Sequence, residues 1–152
     1  MNRCKCMLFL LAGVLLAGVA TADGEADFTY TTNGSDITIT GYIGPGGDVV
    51  IPATIEGKPV TAIGYQVFTN CTSLTSVTIH SGIVGIGRYA FSNCTSLTEI
   101  MVDPGNPNYS SEEGVLFDKA KTTIIQCPGG KRGDYSIPAG VTNIFDEAFY
   151  NC

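Results

Sequence analysis

A thirteen-residue segment occurs twice in this chain at a fixed offset, and that recurrence limits the fold more than any other feature. Ile63-Gly64-Tyr65-Gln66-Val67-Phe68-Thr69-Asn70-Cys71-Thr72-Ser73-Leu74-Thr75 returns 23 residues later as Ile86-Gly87-Arg88-Tyr89-Ala90-Phe91-Ser92-Asn93-Cys94-Thr95-Ser96-Leu97-Thr98. A third copy, Ile144-Phe145-Asp146-Glu147-Ala148-Phe149-Tyr150-Asn151-Cys152, starts 58 residues after the second. A unit this short cannot bury its own apolar face. It must stack on its neighbours, so stability becomes a sum of interfaces along a solenoid.

Each coil divides by periodicity. Leu74-x-x-Val77-x-Ile79 and Leu97-x-x-Ile100-x-Val102 have the L-x-x-L-x-L form of a leucine-rich-repeat strand. The alternation predicts Val77 and Ile79 inward, with Ser76, Thr78 and His80 outward. On the next coil Glu99, Met101 and Asp103 take the outward positions. Ile86, Ala90 and Phe91 have the spacing of one short helical turn folding back onto the strand. The expected fold is a β-rich solenoid of short leucine-rich-repeat coils, each a strand plus a short helical turn. Regular coils are expected over about 49–76 and 77–99, a long divergent unit over about 100–136, and an incomplete coil over 137–152.

The first of these coils needs a cover. Phe28–Thr32 and Asp36–Thr40 alternate on either side of Asn33-Gly34, a hairpin-turn signal. Residues 27–42 are therefore expected to form a β-hairpin cap within an N-terminal segment 23–48. At the other end, the third copy stops where the first two run on into a strand, which suggests a fragment of a longer array or a face covered from outside.

The pattern Ile-Gly-x-x-Ala-Phe-x-x-Cys-x-Ser-Leu-Thr resembles the BspA-type leucine-rich repeat of bacterial secreted and surface proteins. Ile63, Gly64, Phe68, Cys71 and Leu74 carry the likeness in one copy, and Ile86, Gly87, Ala90, Phe91, Cys94 and Leu97 in the next. The divergent unit is similar to that family's long inserted repeat: Asp103–Ser111 leads into Gly114-Val115-Leu116-Phe117, and Cys127–Lys131 into Tyr135–Pro138. Val67 for Ala, His80 for Pro and Phe145 for Gly are departures from it. The resemblance implies adhesion to host or neighbouring-cell proteins, an expectation by analogy.

The N-terminus suggests export. Arg3 and Lys5 precede the charge-free run Met7–Val19, and Ala20-Thr21-Ala22 follows. This is a signal-peptide pattern with cleavage expected after Ala22. The apolar run is shorter than the roughly 20 residues a membrane span needs, so no membrane insertion is expected after cleavage. The remaining chain keeps six basic residues against fourteen acidic ones. Nucleic-acid binding needs a basic footprint that this chain lacks.

No constellation for catalysis, cofactor or metal binding emerges. The only histidine, His80, has no sequence neighbour suited to a triad, and no close Cys-x-x-Cys pair exists. Asn33, Asn70, Asn93 and Asn108 begin sequons that the repeat and the hairpin already account for. Glu112, Glu113 and Asp118 look like a solvated acidic loop. Cys71, Cys94 and Cys152 share one repeat position and read as a buried thiol ladder, although stacked neighbours would lie within disulfide range. Cys127 stands outside that ladder and could pair with any of them if export oxidises it.

These features point to a secreted or cell-surface protein-binding module, not an enzyme. A protein partner is expected on the outward strand positions Ser76, Thr78, His80, Glu99, Met101 and Asp103. The alternative is a structural stalk or assembly element, with self-association through the uncapped C-terminal coil and activity located beyond residue 152.

Overall fold

The computed structural model describes residues 24–152; the proposed signal peptide lies outside them. After one turn of 3-10 helix at Glu25–Asp27, strands β1 (Phe28–Asn33) and β2 (Asp36–Tyr42) form the expected antiparallel hairpin. Its turn is one residue later than Asn-Gly suggested. Asn33 pairs with Asp36, and Gly34 takes the left-handed position at φ 65° as the first of two loop residues. Glycine there suits a two-residue hairpin, whose backbone needs positive φ at that point.

The coils then wind between two sheet faces. Strands β3 (Gly47–Val50), β6 (Leu74–Ile79) and β8 (Glu99–Val102) form a parallel three-stranded sheet. On a second face, β5 (Lys58–Ile63) pairs in parallel with β2 on one side and β7 (Gly85–Ile86) on the other, while β4 (Thr54–Ile55) makes a small hairpin with β5. The long unit departs from this plan. Its β9 (Tyr109–Glu112), β10 (Val115–Asp118) and β11 (Thr123–Gln126) are antiparallel neighbours, and β12 (Asn143–Ile144) returns to the parallel pattern on β11.

The chain segment expected as a helical turn is instead a series of separate hydrogen-bonded turns. Gln66, Asn70, Tyr89 and Asn93 sit at φ 57°, 64°, 59° and 60°, and left-handed residues at that spacing interrupt any right-handed helix. The turns close locally, as in Cys71 N–H to Phe68 O (2.9 Å), and bond between coils, as in Phe68 N–H to Ala90 O (2.8 Å). Asparagine tolerates the left-handed region, and its side chain gains a second use here. The amide of Asn93 donates to Asn70, and that of Asn151 donates to Asn93 (2.7 Å).

An aromatic spine joins the cap to the coils. Phe28 meets Tyr42 at 5.3 Å, Tyr42 meets Phe68 at 5.2 Å, and Phe68 stacks on Phe91 at 5.4 Å, almost parallel. The core divides further on, within β10, where Leu116 faces one cluster and Val115 and Phe117 the other. A large cluster runs from the cap through Phe91 and Ile100, and a smaller one gathers Val115, Phe117, Ile124, Cys127 and Ala148.

Candidate binding face

The outward side of the β3–β6–β8 sheet is built from strands in strict register. Val49, Val77 and Ile100 form an inward row, all buried. Alternation puts the neighbouring residues on the opposite side. One outward row is therefore Asp48, Ser76 and Glu99, and the next is Val50, Thr78 and Met101.

Five of the six residues expected at this surface are at least partly open. Glu99, Met101 and Asp103 are exposed, and Thr78 and His80 are half-buried. Ser76 is the correction. It points outward but is only 6% exposed, because its hydroxyl donates to the Asp48 carboxylate at 2.8 Å. Thr75 donates to the same oxygen at 2.7 Å. These two hydroxyls hold the Asp48 carboxyl below its ordinary range, so the row presents a fixed anion in place of a free serine.

Asp48 and Val50 were missing from the sequence reading. Their strand is short and follows a glycine-rich turn, and the Asp-Val-Val alternation is the only signal that could have found it. With them, the face has a flat centre of Val50 (42% exposed), Thr78 and Met101 (39% exposed). Exposed carboxylates of Asp48, Glu99 and Asp103 stand around that centre, and no Lys or Arg occupies either outward row.

At the far end His80 closes the strand. Its Nδ1 accepts the Gly82 N–H at 3.0 Å, which makes Nε2 the protonated nitrogen. Nε2 is shielded from water and turned toward the Pro52 carbonyl without an ordinary hydrogen bond. Burial pushes the imidazole pKa down, outweighing the Pro52 carbonyl and the Asp103 carboxylate, which pull it up. His80 is thus a neutral turn residue. Asp103 folds back on itself, accepting the Gly105 N–H at 2.7 Å.

A cleft of about 40 Å³ lies between the second coil and the last, lined in part by Tyr89, Phe91, Ile125 and Phe145. That is room for a few waters, far below the several hundred Å³ of a typical small-molecule site. Among the described residues, no group of three or more His, Cys, Asp or Glu is placed to hold a metal, and no helix is long and apolar enough to cross a membrane.

Residues 50–130 match the family model for the BspA-type leucine-rich repeat region, a span of more than half the chain. The chain belongs to the BspA-type leucine-rich repeat family. Solved structures agree on the fold. A leucine-rich repeat protein of T. pallidum is 26% identical with a TM-score of 0.62, covering 85% of this chain and 66% of its own. A leucine-rich cell surface protein of Faecalibacterium prausnitzii is 30% identical with a TM-score of 0.58, over 89% of this chain and 35% of its own. The pneumococcal vaccine antigen PcpA is 24% identical with a TM-score of 0.58, over 68% of this chain and 31% of its own, a likeness of fold. The chain thus spans 66%, 35% and 31% of those proteins' lengths. No curated protein matches the sequence significantly. Repeat solenoids of this kind are typically scaffolds that present an extended surface for protein interaction.

Proposed function

We propose that this protein is exported and works as an adhesive protein-binding module, with the β3–β6–β8 face as its contact surface. The centre of exposed Val50 and Met101 flanking half-buried Thr78, among three carboxylates, carries the reading. An apolar centre within a charged border is the usual anatomy of a protein interface. The sign of the border specifies the partner: a basic polypeptide segment bearing at least one apolar anchor side chain. The signal-peptide pattern of residues 1–22 and the surface location named for the F. prausnitzii relative support export.

Selection from a random peptide display library on the purified protein tests this. Enriched peptides should combine Lys or Arg with a large apolar residue, and their affinity should fall as salt rises. Glu99→Lys combined with Thr78→Arg should weaken them at least tenfold without changing the melting temperature. Binding that survives both substitutions at full strength, or an enriched set that is acidic, would move the contact surface elsewhere.

A second reading has its own observation. Ile144 and Phe145 are 49% and 51% exposed on the last coil, an edge to which the coil of another copy of this chain could add. Concentration-dependent dimers that dissociate with Phe145→Glu would support assembly; a monomer at all concentrations would exclude it.

A further inference from the structure

Cys127 directly follows β11, and Cys152 occupies the ladder position of the last coil. They are 25 residues apart in sequence, yet the fold brings them together. The Cys127 N–H bonds to Ala148 O at 2.7 Å, and the Gln126 side-chain amide reaches the same carbonyl at 3.3 Å. Gly129 packs against the backbone of Cys94 and Asn151. Cys152 Sγ then lies 3.5 Å from Cys127 O and 3.6 Å from Pro128 O, which sets its thiol beside Cys127.

We propose that Cys127 and Cys152 are a covalent modification site: a dithiol that closes to a disulfide and fastens the last coil to β11. The two cysteines have complementary exposure. Cys152 is exposed and Cys127 is buried, so an oxidant meets Cys152 first. The oxidant class is a small-molecule or protein disulfide. The Cys152 thiolate attacks one sulfur of that disulfide, forms a mixed disulfide and releases one thiolate. Cys127, after losing its proton to solvent, attacks Cys152 Sγ and expels the second. The protein loses two protons and two electrons, and the oxidant becomes two thiols.

Burial, followed by the Cys152 thiol, pushes the Cys127 thiol up to about 12. An isolated thiol of that kind reacts slowly, which confines its chemistry to a partner already in place. Cys71 and Cys94 contrast with this pair. Both are sealed in the core, and Cys94 Sγ donates to Phe68 O at 3.0 Å.

The test treats the folded full chain with oxidised glutathione. Tryptic digestion without reduction should link peptides 122–131 and 133–152, and the intact mass should fall by two hydrogens. The melting temperature should rise by about 10 °C, as expected for closing a loop of this length, and return with dithiothreitol. Cys152→Ser, at an exposed position, should fold normally and lose both effects. A persistent glutathione adduct on Cys152 without ring closure would overturn the proposal, as would a Cys71–Cys94 link.

Discussion

The regular coils and the long unit between them solve the same stacking problem by different means. From residue 49 to 100 apolar positions repeat, and equivalent residues meet: Val49, Val77 and Ile100 in one row, Phe68 on Phe91, Asn70 on Asn93. The long unit has no equivalent neighbours to copy, so polar side chains organise its backbone. Asn106 is fully buried; its amide donates to His80 O and Ile83 O at 3.1 and 2.9 Å, and its oxygen accepts from the N–H groups of Asn108 and Tyr109. Asp118 accepts from the Thr122 and Thr123 N–H groups and the Thr122 hydroxyl. Repetition provides stability through equivalent contacts, whereas an irregular segment needs individual polar clamps.

The largest effect should come from breaking the spine. Phe68→Ala removes a buried ring held between Tyr42 and Phe91 and should cost about 3–5 kcal/mol by denaturant unfolding. Because the core is divided, hydrogen exchange should accelerate first in β2, β5 and β6, while the small cluster around Val115, Phe117 and Ile124 keeps its protection. Uniform acceleration would mean the two clusters unfold as one.

Asn106→Ala tests the other half and should cost about 2–4 kcal/mol, since two carbonyls and two N–H groups lose their partner at a buried position. The effect should extend backward to the Ser81–Val84 loop, which Asn106 secures. A loss below about 1 kcal/mol would show that water replaces the amide.

What the sequence revealed follows the same division. Phe68, Phe91, Val77 and Ile100 were readable because equivalent residues recur at a fixed offset, and solenoid packing depends on that recurrence. The cap was readable from its alternation. Ser76 misled because alternation reports direction, while its exposure depends on Asp48 from a strand 28 residues away. Short β3 left little periodicity to detect. Asn106 and Asp118 resemble ordinary loop residues, since nothing local marks an amide as buried or a carboxylate as the acceptor of several donors. The sequons at Asn70 and Asn93 recorded a repeated asparagine without indicating that its amide bridges coils.

The smallest effect distinguishes charge from shape within the long unit. Burial raises the Asp118 pKa, but the hydrogen bonds from Thr122 and Thr123 outweigh it, and the net shift is below the ordinary value of 3.8. A carboxylate with a lowered folded pKa contributes its stability in full above the unfolded value. That contribution is lost as pH falls through the folded value. Asp118→Asn keeps the shape and one acceptor but removes the charge. It should cost about 1 kcal/mol at neutral pH and flatten the decline of stability below about pH 4. Asn106 has no proton to gain, so Asn106→Ala should shift the whole pH profile down without changing its slope. If Asp118→Asn also lowers stability equally at every pH, the clamp is one of geometry alone, and charge has no separate part in holding the irregular unit.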